Sequence, residues 1–324
     1  MQKEIKRIAV LTSGGDAPGM NACIRAVFRA ATKQGVSVLG VRRGYLGLIS
    51  HDLTEMKVQD VDHILRHGGT TLSTARCAEM MTPEGQERAA NTCKHMGIDA
   101  LVVIGGDGSF RGAKALSQHG ISVACVPATI DNDIGKTEYT IGFDTASNTA
   151  MDAVDKLRDS MQSHERCSVV EIMGREAGHL ALQVGVSVGA TCILLPEREA
   201  DIQRQVIEPI RRLRLGGRKH HLIVVAEGYG DANMVAKQVE ESTGIEARVT
   251  ILGHIQRGGS PTAYDRTMAT QMGCHAVNLL LEGKTNRAVC FSQGQICDHD
   301  IDEVLENKLC INATLFDAAQ LIIA

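Results

Sequence analysis

The sequence is poor in aromatic side chains and has no tryptophan. Phe, Trp and Tyr together make up 3% of its 324 residues. Proteins that bind single-stranded nucleic acid stack bases on aromatic side chains, and this chain offers few of them. Its formal net charge of −4 provides no excess of basic residues to attract nucleic acid or an anionic membrane. The composition therefore argues against both classes of partner.

Long hydrophobic runs are also missing. No apolar run approaches the roughly 18 residues that a membrane-spanning helix needs. The chain has ten cysteines but no C-x-x-C pair, so zinc-ribbon and thioredoxin-like sites lose support. We therefore expect buried, reduced thiols in a cytoplasmic protein.

Apolar, β-branched runs alternate with helical segments along the whole chain. This alternation predicts an α/β protein with two doubly wound, mainly parallel-sheet (Rossmann-like) domains. The length is about twice that of a typical domain, which also favours two domains. The predicted strands are 8–12, 36–41, 100–104, 122–126, 168–173, 191–195, 221–226 and 248–252. The predicted helices are 20–34, 83–97, 145–163, 201–215, 232–244 and 264–281.

A glycine-rich segment follows the first predicted strand. In an open parallel sheet, ligands bind at the carboxyl ends of the strands. The segment 13–21 contains Gly14, Gly15 and Gly19 and leads into a helix. Glycines let the backbone approach an anion closely, and a helix N-terminus presents free N–H groups. The segment matches neither G-x-G-x-x-G nor a Walker loop, yet it predicts phosphate binding.

Two acidic motifs follow two further predicted strands. Asp107 lies between glycines in the segment 105–109, where a carboxylate can hold Mg²⁺ beside bound phosphates. Asp131 and Asp133 lie two residues apart in the segment 127–133. Phosphoryl transfer to an alcohol needs a base for the hydroxyl proton and groups that hold metal and phosphate. A helix-capping Asp and an Asx-rich turn are the structural alternatives.

Two arginines also follow predicted strands in a glycine context, namely Arg175 and Arg257. The forked guanidinium group suits phosphate recognition and the charge that develops during phosphoryl transfer. Arg111 lies outside these cationic motifs and is interpreted as an ordinary solvated surface residue.

Taken together, these motifs resemble the bacterial ATP-dependent 6-phosphofructokinase family. The segments that carry the resemblance are 11–21, 99–109, 127–133, 169–175 and 252–265. It implies a glycolytic kinase that uses Mg²⁺ and transfers a phosphoryl group from ATP to the 1-hydroxyl of D-fructose 6-phosphate, giving fructose 1,6-bisphosphate and ADP. It also implies a larger ATP-binding domain at 1–142 with 256–306, and a smaller fructose 6-phosphate-binding domain at 143–255 with 307–324.

The resemblance also implies site residues. Asp131 would be the general base, supported by Thr129 and Asp133, while Arg76 and Arg175 would stabilise the phosphoryl group in transfer. Asp107 would be the metal residue. The nucleotide-contacting positions would be Gly15, Tyr45, Arg76, Cys77, Gly106, Asp107, Gly108, Ser109 and Gly112. The sugar-phosphate positions would be Thr129, Asp131, Arg166, Met173, Gly174, Arg175, Glu227, Arg248, His254 and Arg257. Arg166 and Arg248 match positions that the family contributes from a neighbouring subunit, which implies a homotetramer.

Effector control is implied less completely. The family binds ADP and phosphoenolpyruvate in a basic pocket, whose cationic positions match Arg25, Arg29, Arg158, Arg218 and Lys219. Val58 replaces a further Arg of that pocket, and Thr191 replaces a Glu that helps to hold the effector's metal. We therefore expect altered or weak allostery.

Three functions remain open from the sequence. The first is ATP-dependent phosphofructokinase. The second is a relative with another donor or acceptor, such as pyrophosphate or NAD. Pyrophosphate-dependent relatives resemble this chain but carry Asp at the position of Gly108 and Lys at that of Ala128, where ATP-dependent ones usually have Gly. The third is a non-catalytic nucleotide-binding regulator, which would need no base such as Asp131.

Overall fold

The computed structural model describes residues 4–199 and 201–322. These form two units. The described residues of the first unit fall within Met1–Thr129, Ile134–Thr145 and Arg257–Leu309, and those of the second within Ile130–Asp133, Ala146–Gln256 and Cys310–Ala324. The outermost residues of the domains predicted from the sequence, 1–3 and 323–324, lie outside the described residues. The predicted domain limits stay a prediction.

Strands and helices alternate along the described residues. In chain order, the strands are β1 (Arg7–Ser13), β2 (Ser37–Val41), β3 (Leu53–Glu55), β4 (Ala100–Gly105), β5 (Ser122–Pro127), β6 (Cys167–Ile172), β7 (Cys192–Leu194), β8 (His221–Ala226), β9 (Ala247–Ile251), β10 (Arg287–Ser292) and β11 (Gln295–Asp300). The helices are α1 (Met20–Lys33), α2 (Gly44–Ile49), α3 (Val58–Val61), α4 (Pro83–His95), α5 (Asp107–Gln118), α6 (Phe143–His164), α7 (His179–Ser187), α8 (Glu208–Leu215), α9 (Ala232–Thr243), α10 (Ala263–Leu281), α11 (Ile301–Glu306) and α12 (Ala313–Ile322).

The sheet of the first unit has the order β11-β10-β5-β4-β1-β2-β3. Its five inner strands run parallel, while β3 and β11 pair antiparallel at the two edges. Every residue of β4 is buried, as expected for a central strand covered by helices on both faces. Helices α1 and α10 pack together, and α1 contributes Ile24, Val27, Phe28 and Ala31 at helical spacing.

The sheet of the second unit has the order β7-β8-β6-β9, with all strands parallel. All six residues of β8 are buried, whereas β9 lies at the edge and is half-exposed. A π-helical turn, Gln203–Ile207, precedes α8.

The structure confirms the predicted α/β class with mainly parallel sheets. The predicted start of α4 is also confirmed, because the Thr82 side chain accepts the Gly85 N–H and Pro83 is the first helical residue. Three strands were not predicted: the antiparallel edge strands β3 and β11, and the parallel strand β10. The half-exposed, largely polar residues of β3 and β11 give neither an apolar run nor a clear alternation. The strand β10 does contain a short buried apolar run, and the sequence analysis missed it.

Among the described residues, no helix combines the length and apolarity required to span a bilayer. All ten cysteines are free thiols, and six of them are buried. Burial raises the pKa of the Cys93, Cys167, Cys192 and Cys290 thiols to about 12.

Candidate active site

Three loops of the first unit meet at the carboxyl ends of β1, β4 and β5. Ser13 pairs with Gly105, and Gly105 pairs with Pro127, so the three strand ends lie side by side. The chain leaves β1 for β2 on one side of the sheet and later returns to β4 on the other. Such a reversal opens a crevice between the loops of neighbouring strands, which is where doubly wound sheets bind ligands.

The turn after β1 carries the glycines predicted to bind phosphate. Gly14 has a φ of 86°, which favours glycine. A Cβ at Gly15 would lie 3.2 Å from the guanidinium carbon of Arg257. Within the described part of the chain, that guanidinium makes no hydrogen bond or ion pair. The positively charged Arg257 guanidinium therefore lies next to the Gly15 backbone without an acidic partner among the described residues, an arrangement that suits an anion.

Gly105, at the end of β4, has no room for a side chain. A Cβ at Gly105 would lie 2.4 Å from both the Ser109 Oγ and the Ser13 carbonyl oxygen. The Ser109 Oγ is buried and has no hydrogen-bond partner among the described residues. It lies 3.4 Å from the Cβ position of Gly14. The predicted nucleotide residue Ser109 thus offers a spare hydroxyl beside the glycine turns.

Asp107, the predicted metal residue, is the first residue of α5. Its carboxylate is already engaged, because Arg111 donates from Nε to Oδ2 at 2.8 Å and from Nη2 to Oδ1 at 3.2 Å. Arg111 was interpreted from the sequence as an ordinary surface residue, and that interpretation was incomplete. The Arg111 side chain is 61% exposed, but its guanidinium binds both carboxylate oxygens of Asp107, one helical turn earlier in α5. The i, i+4 spacing was the available signal.

A magnesium ion fits Asp107 only as part of a metal–nucleotide complex. Among the described residues, no group of three or more His, Cys, Asp or Glu side chains is arranged to hold a metal. Mg²⁺ commonly binds one or two carboxylates and takes its remaining ligands from substrate phosphates and water. A half-exposed carboxylate at the start of the helix after β4 suits this mode.

Tyr45 and Gly112 support α5 from inside the protein. The Tyr45 hydroxyl donates to the Ser109 carbonyl at 2.5 Å, and burial raises its pKa well above its usual value. A Cβ at Gly112 would lie 2.6 Å from the Tyr45 ring, so only glycine leaves room for it. Tyr45 is buried, and its predicted contact with nucleotide stays a prediction. The half-buried Cys77 and the exposed Arg76 follow an irregular segment that ends near the glycine turn.

The two positions that bear on the phosphoryl donor differ in their surroundings. A Cβ at Gly108 would meet no atom within 4 Å, so this position faces open space. Ala128 is fully buried and forms a β-bridge with Ile141. The methyl group that distinguishes Ala128 from glycine therefore lies in the protein interior.

Thr129 is held in place by the loop that precedes α6. The Thr140 hydroxyl donates to the Thr129 carbonyl at 2.6 Å. That loop is fixed in turn by the fully buried Asp265, which accepts hydrogen bonds from Tyr139, Gly142 and Thr145. Neither Thr140 nor Asp265 was singled out from the sequence as a site residue.

Asp131, the predicted base, lies in the second unit near Arg175. The Arg175 Nε is 3.6 Å from the Asp131 Oδ2. The Asp131 side chain is 7% exposed, whereas the Arg175 side chain is 62% exposed. Arg175 has a left-handed φ of 54° and follows Gly174. A Cβ at Gly228 would lie 2.2 Å from the Arg175 carbonyl oxygen, so the turn packs on bare backbone after β8. Asp133, two residues beyond Asp131, is half-buried.

The other predicted sugar-phosphate residues of the second unit occupy the ends of β6 and β8 and the turn at 253–256. The Met173 N–H donates to the Gln256 Oε1 at 3.3 Å, and the Gln256 Nε2 donates to the Gly253 carbonyl at 3.0 Å. His254 is exposed beside this fully buried carboxamide, which was not singled out from the sequence. Glu227 is half-buried. Its negative charge acts on the nearby Glu171, whose pKa is raised first by its own burial and then by the charges of Glu227 and Asp231.

Arg166 and Arg248 converge on one carboxylate. The Arg166 Nε lies 2.6 Å from the Glu246 Oε2, and Arg248 pairs with the other oxygen. The Arg166 hydrogen bond is the main cause that lowers the pKa of Glu246. These two arginines, predicted to serve a neighbouring subunit, therefore lie side by side at the surface of the second unit.

Several predicted effector residues already have partners. Arg29 pairs with Asp62 at 2.5 Å, Lys219 pairs with Glu165 at 2.6 Å, and Arg158 donates to the Val188 carbonyl. The buried Arg25 Nε lacks a partner among the described residues. Val58 is exposed.

Thr191 and Arg218 line a small cavity of the second unit. The Thr191 hydroxyl accepts the Leu222 N–H at 3.2 Å, so it is occupied within the fold.

Comparisons with known proteins converge on one family. The family described as Phosphofructokinase matches residues 7–280. Over 318 residues, the chain is 52% identical to the ATP-dependent 6-phosphofructokinase of Clostridium botulinum, covering 98% of this chain and 99% of that protein. It is 51% identical to the protein of the same name from Clostridium acetobutylicum, with the same coverage.

Solved structures show the same relationship. Phosphofructokinase from Saccharomyces cerevisiae superposes with a TM-score of 0.89 at 36% identity, over 98% of this chain and 46% of the yeast chain. This chain thus spans about half the length of that yeast chain. The pyrophosphate-dependent phosphofructokinase from Marinobacter aquaeolei superposes with a TM-score of 0.84 at 22% identity, over 99% and 92% of the two chains. That second similarity is evidence of a shared fold.

Proposed function

The chain belongs to the phosphofructokinase family, and from that premise we propose that it transfers a phosphoryl group from ATP to the 1-hydroxyl of D-fructose 6-phosphate. The products are fructose 1,6-bisphosphate and ADP, so the enzyme is a glycolytic kinase. The observation that carries this proposal is the 52% identity to ATP-dependent relatives over nearly the full length of both chains.

The first unit carries the residues proposed to bind the donor. The Gly14–Gly15 backbone and the spare Ser109 hydroxyl suit oxygens of a polyphosphate. The Arg257 guanidinium, which lies beside Gly15, keeps its proposed assignment to the sugar phosphate. Asp107 would hold Mg²⁺, which when bound neutralises charge on the phosphate oxygens. Arg76 is exposed and without a partner within the described residues, so it is available to the phosphoryl group.

The second unit carries the residues proposed to act on the acceptor. Asp131 would accept the proton of the 1-hydroxyl as its oxygen attacks phosphorus, which is the usual function of a base in phosphoryl transfer. Arg175 is largely exposed and lies beside Asp131, so its guanidinium can neutralise charge that develops on the phosphoryl group. Met173, Glu227 and His254 are proposed to bind the sugar phosphate.

The surroundings of Gly108 support ATP over pyrophosphate as donor. Open space around this position leaves room for the α-phosphate and ribose, which an Asp side chain would occupy. The buried methyl of Ala128 takes none of this space, since it packs in the interior. The departure from glycine at 128 therefore does not argue against ATP.

Steady-state assays of the purified protein test the proposal. Fructose 6-phosphate is offered with ATP or pyrophosphate in separate reactions, with and without Mg²⁺. We expect turnover with ATP and Mg²⁺ only. Turnover with pyrophosphate would instead support the alternative, a pyrophosphate-dependent phosphofructokinase. Nucleotide binding without turnover would support a non-catalytic regulator.

Assembly, regulation and location complete the proposal. We propose a cytoplasmic homotetramer in which Arg166 and Arg248 serve a neighbouring subunit, and light scattering of the purified protein tests its mass. ADP and phosphoenolpyruvate are proposed as weak effectors, because Thr191 brings no carboxylate for an effector metal and its hydroxyl is already used. A strongly sigmoidal fructose 6-phosphate curve that both effectors shift would contradict this.

A further inference from the structure

The segment 67–74 of the first unit has no regular secondary structure, yet it leads directly to Arg76. Backbone polar groups outside helices and sheets need other hydrogen-bond partners. Here side chains of the phosphate-binding region supply them. We propose that Asn21 is a positioning residue that holds the segment 67–74, and with it Arg76, beside the Gly14–Gly15 turn. This inference rests on the proposed function, in which Arg76 acts on the transferring phosphoryl group.

The Asn21 carboxamide makes three hydrogen bonds to the segment, and these use both of its donors and one acceptor position of its oxygen. Its Nδ2 donates to the His67 carbonyl at 3.0 Å and to the Gly68 carbonyl at 3.3 Å. Its Oδ1 accepts the Thr71 N–H at 2.8 Å. Asn21 is 1% exposed and lies in the first turn of α1, directly after the glycine-rich segment. A buried amide with three bonds to one loop fixes the position of that loop.

A second anchor joins the segment to β1. The Thr12 hydroxyl donates to the Ser73 carbonyl at 3.1 Å. It also lies 2.9 Å from the Thr70 hydroxyl. Because Thr12 has a single hydroxyl proton, Thr70 must be the donor in that pair. The Thr74 hydroxyl donates to the Gly14 carbonyl at 2.7 Å, so the segment is bonded to the phosphate turn itself.

Close backbone packing leaves the segment little freedom. A Cβ at Gly68 would lie 2.3 Å from the Gly259 carbonyl oxygen. The segment therefore touches the chain two residues beyond Arg257. Asn21 thus holds a loop that contacts the phosphate turn, leads to Arg76 and packs against the backbone two residues beyond Arg257. A displacement of about 1 Å at such a place can cost about 100-fold in rate.

A double-mutant cycle with Arg76 tests this positioning. The variants are Asn21→Ala, Arg76→Ala and the two combined, assayed for kcat and KM with ATP and fructose 6-phosphate. We expect Asn21→Ala to lower kcat by about 10- to 100-fold while leaving the KM for fructose 6-phosphate nearly unchanged. In the Arg76→Ala background, the same change should lower kcat by no more than about twofold. Equal losses in both backgrounds would overturn the proposal.

The control is Thr137→Val, which removes another buried hydrogen-bonding group from the first unit. The Thr137 hydroxyl donates to the Tyr139 carbonyl at 2.9 Å and accepts the Phe291 N–H at 3.0 Å, without touching the segment 67–74. We expect Thr137→Val and Arg76→Ala to act additively. If Thr137→Val and Arg76→Ala were coupled as strongly as Asn21→Ala and Arg76→Ala, the claim that Asn21 specifically positions Arg76 would be overturned.

Amide hydrogen exchange provides a readout that needs no activity. In Asn21→Asp, the acceptor for the Thr71 N–H is kept and the two donated bonds are lost. We expect faster exchange across residues 67–74 in Asn21→Asp, faster still in Asn21→Ala, and no change there in Thr137→Val. Unchanged exchange in both Asn21 variants would overturn the inference. If the wild-type protein shows no turnover, the proposed function fails, while this measurement still decides whether Asn21 holds the segment.

Discussion

Replacing Asp265 with Asn should destabilise the first unit measurably, because this carboxylate has no exposed surface and accepts four hydrogen bonds. Its Oδ1 accepts the Tyr139 hydroxyl at 2.5 Å and the Gly142 N–H at 2.6 Å. Its Oδ2 accepts the N–H and the hydroxyl of Thr145 at 2.8 and 2.5 Å. The change Asp265→Asn keeps the shape but turns one acceptor oxygen into an NH₂ donor.

The expected loss follows from those four contacts. Hydroxyls can rotate and accept, but one backbone N–H, either that of Gly142 or that of Thr145, must lose its partner. An unsatisfied buried donor costs about 1–3 kcal/mol, and hydrogen bonds to a neutral group are weaker than those to a charge. We therefore expect a loss of about 3 kcal/mol. With an unfolding entropy of about 2.1 cal/mol/K per residue over the chain, this lowers Tm by about 4 °C.

Differential scanning calorimetry at neutral pH measures this shift. The matched control is Asp152→Asn, at an exposed carboxylate of α6 paired with Lys156, and we expect a shift below about 1 °C. A Tm for Asp265→Asn as close to wild type as that of the control would refute the reasoning. Because Asp265 fixes the loop that carries Thr140, which holds Thr129, kcat should also fall in the variant.

Further outcomes follow from other side chains of the two units. Asp131→Ser should lower kcat by about 100- to 10,000-fold with little change in KM, and a near-native kcat would remove Asp131 as the base. Arg111→Gln should tighten Mn²⁺ binding in the presence of ADP by about two- to fivefold in spin-resonance titrations, since it frees the Asp107 carboxylate; weaker binding would contradict this. Burial raises the pKa of Cys290 to about 12, so maleimide at pH 7.5 should label the exposed Cys310 and spare Cys290, as mass spectrometry can check. Burial, followed by the charge of Arg218, lowers the pKa of His221 to about 4. The unfolded chain therefore binds an extra proton below about pH 6.5, and stability should fall as the pH drops from 6.5 to 4. His221→Gln should show a smaller fall in Tm over that range.

The strand-end motifs were predictable because each one is local. Glycines, an Asp and a helix start within nine residues describe a phosphate turn without knowledge of the rest of the chain. Gly105 and Ser13 then come together because both end parallel strands, and parallel strand ends share one edge of the sheet. Local chemistry and sheet topology together were enough to anticipate this part of the site.

The supporting contacts were not predictable in the same way. The Asn21 side chain bonds residues 46–50 positions away, and Asp265 bonds residues more than a hundred positions away. A buried carboxamide or carboxylate has no periodic signature, so its partners emerge only once the loops are packed. The Arg111 contact with Asp107 is different, since its i, i+4 spacing is visible in the sequence but is shared by many inert surface pairs.

The Ser109 hydroxyl, which has no hydrogen-bond partner among the described residues, has a thermodynamic consequence for the ligand-free protein. A buried donor without a protein acceptor represents about 1–3 kcal/mol of interaction that an anion can supply. An oxyanion that reaches this hydroxyl recovers that energy on arrival, before any chemistry takes place. Inorganic phosphate alone should therefore raise the Tm of the protein. Replacing Ser109 by Ala should raise the Tm measured without phosphate and reduce the further increase that phosphate causes.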